Sequence, residues 1–405
     1  MIGKTTLVTN AAQLIKAARS AQGGDTILLA AGNYGEVALS SMRPAGMVTI
    51  KSANPDADAV FDNLYLTRVS NFTIMDIDVH HILKSTERES DPALRVLLSD
   101  NVNLVGIDFT GSLNGNHFDD GNGLVVDSSS RVTVLDSTFR QFNNGAVFTR
   151  SSDVIFAGNS VKEVREGVNI SQVDGGLFER NFITDIGGDR AKGDHTDAFQ
   201  VHAGGNSRSS NDLAFRSNVI ITGTDSGGQG IYIHNEQGAS RGLTHTNISI
   251  ENNYYQGNFR NAIAVNYTDG VVISGNTVRD GGGIGIPPAI MISNLSNATI
   301  DHNIAPLLLT RAGSVNSNVI WSDNIDVWDS TTQRGVSVAS VFGAMQGTGN
   351  LDFSALEARA GSTAQSRDIG FEAVAGIGNL SGSAAAQLAA YVPQFDSHFA
   401  SNFFA

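Results

Sequence analysis

Seven asparagines recur in one local setting, and that recurrence limits the fold more than any other feature. Each follows an apolar residue by three positions: Phe156 with Asn159, Phe178 with Asn181, Phe215 with Asn218, Ile250 with Asn253, Ile273 with Asn276, Ile300 with Asn303 and Trp321 with Asn324. Successive asparagines lie 22, 37, 35, 23, 27 and 21 residues apart. The short steps set a basic coil, and the two long ones carry inserted loops. Asn tolerates the left-handed backbone that a corner needs. Its amide can also bond the Asn one coil further on, building a ladder.

A second strand precedes each of these corners. The rows align as 93–97, 123–127, 146–150, 167–171, 198–202, 230–234, 262–266 and 289–293. The second and fourth residues of each row are apolar, except Thr149 in the row 146–150. Period two with one constant apolar face describes equivalent strands of successive coils. The expected fold is therefore all-β, a right-handed parallel β-helix, or solenoid. A sandwich or barrel would not keep row-by-row equivalence.

The ends read differently. Residues 1–36 form an expected N-terminal cap and first turn. A short amphipathic helix follows Asn10 as N-cap, Gly23-Gly24-Asp25 breaks it, and residues 26–30 make a strand. A lid of this kind closes the open end of a repeat stack. The β-helix itself is expected over 37–330. Residues 331–405 read as an irregular and helical C-terminal cap with a tail, with short helices at 337–345 and 353–360.

If the second and fourth positions point inward, the third and fifth point out. The third column reads Arg95, Val125, Phe148, Asn169, Gln200, Tyr232, Ala264, Met291; the fifth reads Leu97, Asp127, Arg150, Ser171, His202, His234, Asn266, Ser293. Coils stack about 4.8 Å apart. Arg150, His202, His234 and Asn266 therefore make a polar strip, with Gln200 and Tyr232 beside it, suited to an extended polymer. A single outward His is usually only solvated. Two on adjacent coils, beside Tyr and Arg, point to a catalytic or sugar-binding groove. Asp194, His195 and Asp197 are expected on the inserted loop before the strand. Asp194 and Asp197 are candidate oxygen ligands for calcium, Ca2+; corner capping is the plainer role for Asp197. The inserted loops at 185–197 and 223–229 are expected to wall one end of the groove.

Charge and composition narrow the partners. Against 26 Lys and Arg stand 40 Asp and Glu, a net charge of -14. That excludes a general nucleic-acid binder, but a locally basic groove can still hold an acidic polysaccharide. There is no Cys, so disulfides and thiolate chemistry are out. No apolar run is long enough to span a bilayer. The first residues lack the apolar core of a secretory signal peptide; the expectation is an extracellular protein exported by another route, or a virion component, as a monomer or a trimer.

Residues 24–29, Gly-Asp-Thr-Ile-Leu-Leu, followed by Gly32-Asn33-Tyr34, resemble the opening of β-helical polysaccharide lyases of the chondroitinase B and alginate lyase type. The central coils resemble the wider group that includes mannuronan C5-epimerases. The resemblance spans residues 5–330 as a fold and implies action on a uronic-acid polymer. Those lyases use a Lys base and an Arg acid. The central strands hold no matching Lys, and Lys192 in the inserted loop is the nearest. Asp194-His195-Thr196-Asp197 echoes part of an epimerase motif, and Asp119-Asp120 and Asp194 with Asp197 are the nearest approaches to a hydrolase cluster.

Lyases and epimerases both begin by removing the proton α to a uronate carboxyl. His, with its near-neutral pKa, suits that step. His202 or His234 is the expected base, Tyr232 the proton donor, and Arg150 the carboxylate anchor with Asn169 or Gln200. Asn235, Asn266, His195 and Lys192 are further expected substrate contacts. Loss of the leaving group gives a lyase, the first expectation; reprotonation gives a C5-epimerase. The same residues are compatible with a glycoside hydrolase, and with a non-catalytic sugar-binding or phage fibre protein.

Overall fold

Strand after strand pairs in parallel with the equivalent strand of the next coil. The computed structural model describes residues 3–189, 194, 196–203, 208–222, 228–282, 287–327, 335–345 and 351–391. These residues divide into two compact units, one within Met1–Arg165 and Gly378–His398, the other within Glu166–Ile377. Every strand pairing in both is parallel, with the right-handed crossovers that parallel connections take. The protein is a right-handed parallel β-helix.

In the first unit, strand Thr5–Val8 pairs with Thr26–Leu29 across the helix Ala11–Ser20. Asn10 caps that helix, its side chain accepting from Gln13 N at 3.0 Å. Leu14 and Ala18 are buried beneath it. Further along, Phe109 and Phe139 stack inside the coil with centroids 4.4 Å apart. A serine ladder runs along one corner: Val69 N donates to Ser99 Oγ, Ser99 N to Ser129 Oγ, and Ser129 N to Ser151 Oγ, at 3.1–3.2 Å. The C-terminal helix Ala384–Tyr391 docks nearby. Leu380 N and Gln387 Nε2 donate to the two carboxylate oxygens of Asp136 at 2.9 and 3.1 Å.

This unit corrects one row. Strand Asn122–Asp127 pairs with Asn144–Thr149 so that Leu124 meets Ala146, Val126 meets Phe148 and Asp127 meets Thr149. The row is therefore 145–149, one residue earlier than expected from sequence. Ala146 and Phe148 take the inward positions, both fully buried, and the Thr149 exception disappears. Arg150 leaves the strand altogether. It sits at the corner with φ 52°, and its guanidinium pairs with the Asp127 carboxylate.

In the second unit the register matches expectation. Val168, Phe199, Ile231, Ile263 and Ile290 form one inward column, and Ile170, Val201, Ile233, Val265 and Ile292 the other. None exceeds 1% exposure. Burying each such side chain contributes about 1.5–3 kcal/mol before the entropy of ordering the chain is set against it.

The asparagine ladder is present. Asn181, Asn218, Asn253, Asn276 and Asn303 each donate from Nδ2 to the next Asn Oδ1 at 2.9–3.0 Å, ending on Asn324. Each backbone N donates to the same oxygen. The left-handed backbone falls on the residue before each of these asparagines, however. Arg180, Ser217, Asn252, Gly275, His302 and Asp323 all have φ between 49° and 64°. The corner asparagine is chosen for its buried amide, and its neighbour carries the strain.

The C-terminal part of this unit packs on the coils in two places. Val341, Phe342, Ala364 and Ile369 cover Ile304, Ile325 and Val327. Leu356, Phe371 and Ile377 cover Val219, Ile221 and Tyr254. The expected helix at 337–345 is one turn, Val338–Val341, and that at 353–360 is a 3-10 turn, Phe353–Leu356. No helix among the described residues is long and apolar enough to cross a membrane.

Candidate functional site

The outward face of the second unit gathers its polar side chains in register. Asn169 lies beside Gln200 and Gln200 beside Tyr232 in one column; His202 lies beside His234 in the next. The second column goes on through Asn266 and Ser293. Strand Leu307–Thr310 extends the sheet by one more row, with Ile292 opposite Thr310. Arg311 N then donates to Ile292 O at 2.9 Å, which sets Arg311 next after Ser293. The column is thus His202, His234, Asn266, Ser293, Arg311.

The rings in this row stack. Tyr232 and His234 are 4.6 Å apart at 11°, two residues apart on one strand face. His202 and His234 are 6.0 Å apart at 21°. Burial pushes the His202 imidazolium down to a pKa of about 4, helped by the nearby His234 and His245 rings. The ring is therefore neutral at physiological pH. The expectation of a base titrating near neutrality does not hold for the unliganded protein.

Hydrogen bonds tie His202 to a buried acid. His202 Nε2 lies 2.9 Å from Asn169 Oδ1. Asn169 Nδ2 donates to Gln200 Oε1 at 3.0 Å and lies 3.4 Å from Glu166 Oε2. Gln200 Nε2 donates to Asp197 Oδ2 at 2.7 Å. Asp197 is not on a loop. It belongs to strand Thr196–His202, lies opposite Gln229 and is fully buried.

His245 supports the other ring from behind. It takes the next place in a corner ladder where Val173 N donates to Ser210 Oγ at 3.2 Å. Ser210 N donates to His245 Nδ1 at 3.1 Å, Nδ1 also lies 3.2 Å from Ser210 O, and Nε2 lies 3.2 Å from His234 O. A fully buried ring thereby fixes the end of the strand that presents His234.

Tyr232, Asn261, Asn266, Met291, Ser293 and Arg311 line a cleft of about 310 Å³. Arg311 is exposed. Among the described residues its guanidinium has neither an ion pair nor a hydrogen-bond partner. Larger clefts, of about 680 and 850 Å³, lie by Trp321–Asp326 and by Val338–Phe342. They hold no phenol, whereas the smaller one holds Tyr232 and continues the column that His202 and His234 begin, so the chemistry points to it.

The expected site residues fall into three groups. His202, His234, Tyr232, Asn169, Gln200 and Asn266 come together. Arg150, in the first unit, is bound to Asp127, and Arg311 is the cation in the column. Asn235 is turned inward, 1% exposed, with Nδ2 donating to Leu243 O at 2.8 Å and Ser209 Oγ at 3.3 Å. It anchors the turn beyond His234 and does not face the groove. Lys192 and His195 lie outside the described residues, as do residues 190, 191, 193 and 223–227 of the inserted loops. Asp194 is described and half-buried. Among the described residues no group of three or more His, Asp or Glu side chains is placed to hold a metal ion. Glu166, His245 and Arg311 were not expected. Arg311 was findable, since Leu307-Leu308-Leu309-Thr310-Arg311 continues the row pattern eighteen residues after 289–293.

Comparison with known proteins supports the architecture. Residues 103–242 match the family description "right handed beta helix region". No curated protein matches. Among solved structures, a PL6 family alginate lyase aligns at 12% identity and TM-score 0.48, over 93% of this chain and 57% of its own length. The Dettilon tailspike protein aligns at 13% identity and TM-score 0.48, over 80% of this chain and 63% of its own. The A-module of a mannuronan C-5 epimerase from Azotobacter vinelandii aligns at 14% identity and TM-score 0.49, over 78% of this chain and 95% of its own. The chain thus spans about three fifths of the first two proteins. At these identities the likeness concerns the fold alone.

Proposed function

We propose that the outward row from His202 to Arg311 binds an acidic polysaccharide and removes the proton α to a uronate carboxyl, leading to cleavage by β-elimination. One observation carries the reading: a neutral imidazole, a stacked phenol and a guanidinium unpaired among the described residues lie on one outward face of the solenoid. Arg311, four coils and about 19 Å along the column from His202, would hold the carboxylate of another uronate of the same polymer by paired charged hydrogen bonds. His202 would take the C5 proton. The electron pair left behind forms the C4–C5 double bond as the C4–O bond breaks, and Tyr232 gives its proton to the departing oxygen. A pKa of about 4 makes His202 a weak base before substrate binds. A uronate carboxylate beside it raises that pKa, so base strength arrives with the substrate. C5 epimerisation shares the first step and differs only in the return of a proton to C5.

The test is ultraviolet absorbance of unsaturated uronate, with the protein incubated against a panel of uronate polysaccharides, with and without calcium. A rise is expected, and it should vanish in His202→Gln. Arg311→Ala should lower kcat/KM by about 10- to 100-fold, the worth of a lost charged hydrogen-bond pair. A flat wild-type trace on every polymer would overturn the elimination reading. Proton NMR of the same mixtures would then read C5 inversion.

A further inference from the structure

Asp197 was expected to bind metal or cap a corner, yet it lies fully buried in a strand at the start of a directed hydrogen-bond chain. A carboxylate offers acceptors only, so the Gln200 side chain must turn its NH2 toward Asp197. That leaves Gln200 Oε1 facing Asn169, which must answer with its own NH2. Glu166 demands the same of Asn169, since its Oε2 lies on the Nδ2 side at 3.4 Å. Asn169 then has only its carbonyl oxygen to show His202, at 2.9 Å from Nε2. A carbonyl cannot meet a ring lone pair, so the proton sits on Nε2. Each link leaves one choice for the next, and the first choice is made by an acid three bonds away from the ring.

We propose that Asp197 is a positioning residue that fixes His202 as the Nε2–H tautomer, so that the Nδ1 lone pair is the one available for proton transfer. The tautomer assignment stands on this hydrogen-bond geometry with Asp197 ionised. What the lone pair does rests on the proton-abstraction reading above. The same chain polarises outward from Asp197, so a proton arriving at Nδ1 is stabilised through Nε2–H by a buried carboxylate it never touches.

Asp197→Asn is the informative variant, because its shape is unchanged and its direction is not. An amide at 197 can donate to Gln200 Oε1. The chain can then reverse against only the long 3.4 Å contact from Asn169 Nδ2 to Glu166, presenting Asn169 Nδ2 to His202 and moving the ring proton to Nδ1. The experiment is long-range proton–nitrogen NMR on protein labelled with 15N-histidine, near pH 7, with His202 assigned by its loss in His202→Gln. Wild type should show His202 as Nε2–H. Asp197→Asn should show a mixture or the Nδ1–H form. Gln200→Leu, which cuts the chain at a partly exposed residue, should also lose the single tautomer, and it serves if Asp197→Asn does not fold. Wild-type His202 found as Nδ1–H, or a tautomer unmoved in the folded variants, would overturn the proposal. On a cleaved polymer, Asp197→Asn should lower kcat at least tenfold and leave KM within twofold; an unchanged kcat would also overturn it. If no uronate polymer is processed, the spectrum still decides the relay, and only the reaction reading falls.

Discussion

Acidification should weaken the second unit through one side chain, and the size of the effect follows from its burial. His202 has a folded-state pKa of about 4 against 6.5 for a free ring, because burial and the rings of His234 and His245 oppose its charge. A depressed pKa means that the folded state binds fewer protons than the unfolded state between those two values. The contribution is fully present above 6.5 and is lost as pH falls through 6.5 toward 4. The complete loss is about 3 kcal/mol, of which about 2 kcal/mol falls between about pH 7.5 and about pH 5. The assay is urea unfolding of wild type and His202→Gln at both pH values, comparing the change in midpoint. Other buried groups, such as His81, whose imidazolium is also disfavoured by burial, act in both proteins and cancel in the difference. Wild type should lose about 2 kcal/mol more than His202→Gln on acidification. Parallel shifts in the two proteins would refute the idea that His202 is held neutral by its surroundings.

Two further outcomes follow from the scaffold. Asn253→Ala removes the bonds to Asn276 Oδ1 and Phe215 O and strands the two Asn218 donors that Asn253 Oδ1 accepted; the loss should be about 4 kcal/mol by urea midpoint, and a loss within experimental error would mean the ladder is ornamental. Asp78 is raised by burial and by Asp58 and Asp108, the latter directly opposite it in register. Its ionisation therefore costs stability above the ordinary carboxylate pKa, so Asp78→Asn should raise the melting temperature at neutral pH, with the gain gone below about pH 4.

The coil was legible because its signal is repeated. Inward columns such as Phe199, Ile231, Ile263 and Ile290 repeat at every coil, and one misread row cannot hide them. The single row misread, 146–150, shows where that signal is thin. Gly145 and Ala146 are both small, so either can open a row, and only the full burial of Phe148 decides between them. That one-residue slip moved Arg150 from a corner into the groove. The paired histidines were legible for the same reason the coils were: equal positions on adjacent rows are neighbours. The amide relay was not. Asp197 and Gln200 are three residues apart on a strand, where simple alternation puts them on opposite faces. Their contact comes from local twist and rotamer, which no periodicity reports.

The asparagine ladder has a direction. Each coil supplies donors, a backbone N–H and a side-chain NH2, and the following coil supplies the oxygen that receives both. A chain emerging from the ribosome therefore always ends in a coil with two donors and no acceptor, until the next corner is made. Orphaned donors are tolerated less well than orphaned carbonyls. Synthesis and folding thus advance under a standing incentive to add one more turn. A truncation from the C-terminal side leaves an adhesive rung, whereas one from the N-terminal side leaves an oxygen that water can serve. Unequal ends of this sort make a solenoid grow one way, and they tell an engineer from which end such a protein is safely shortened.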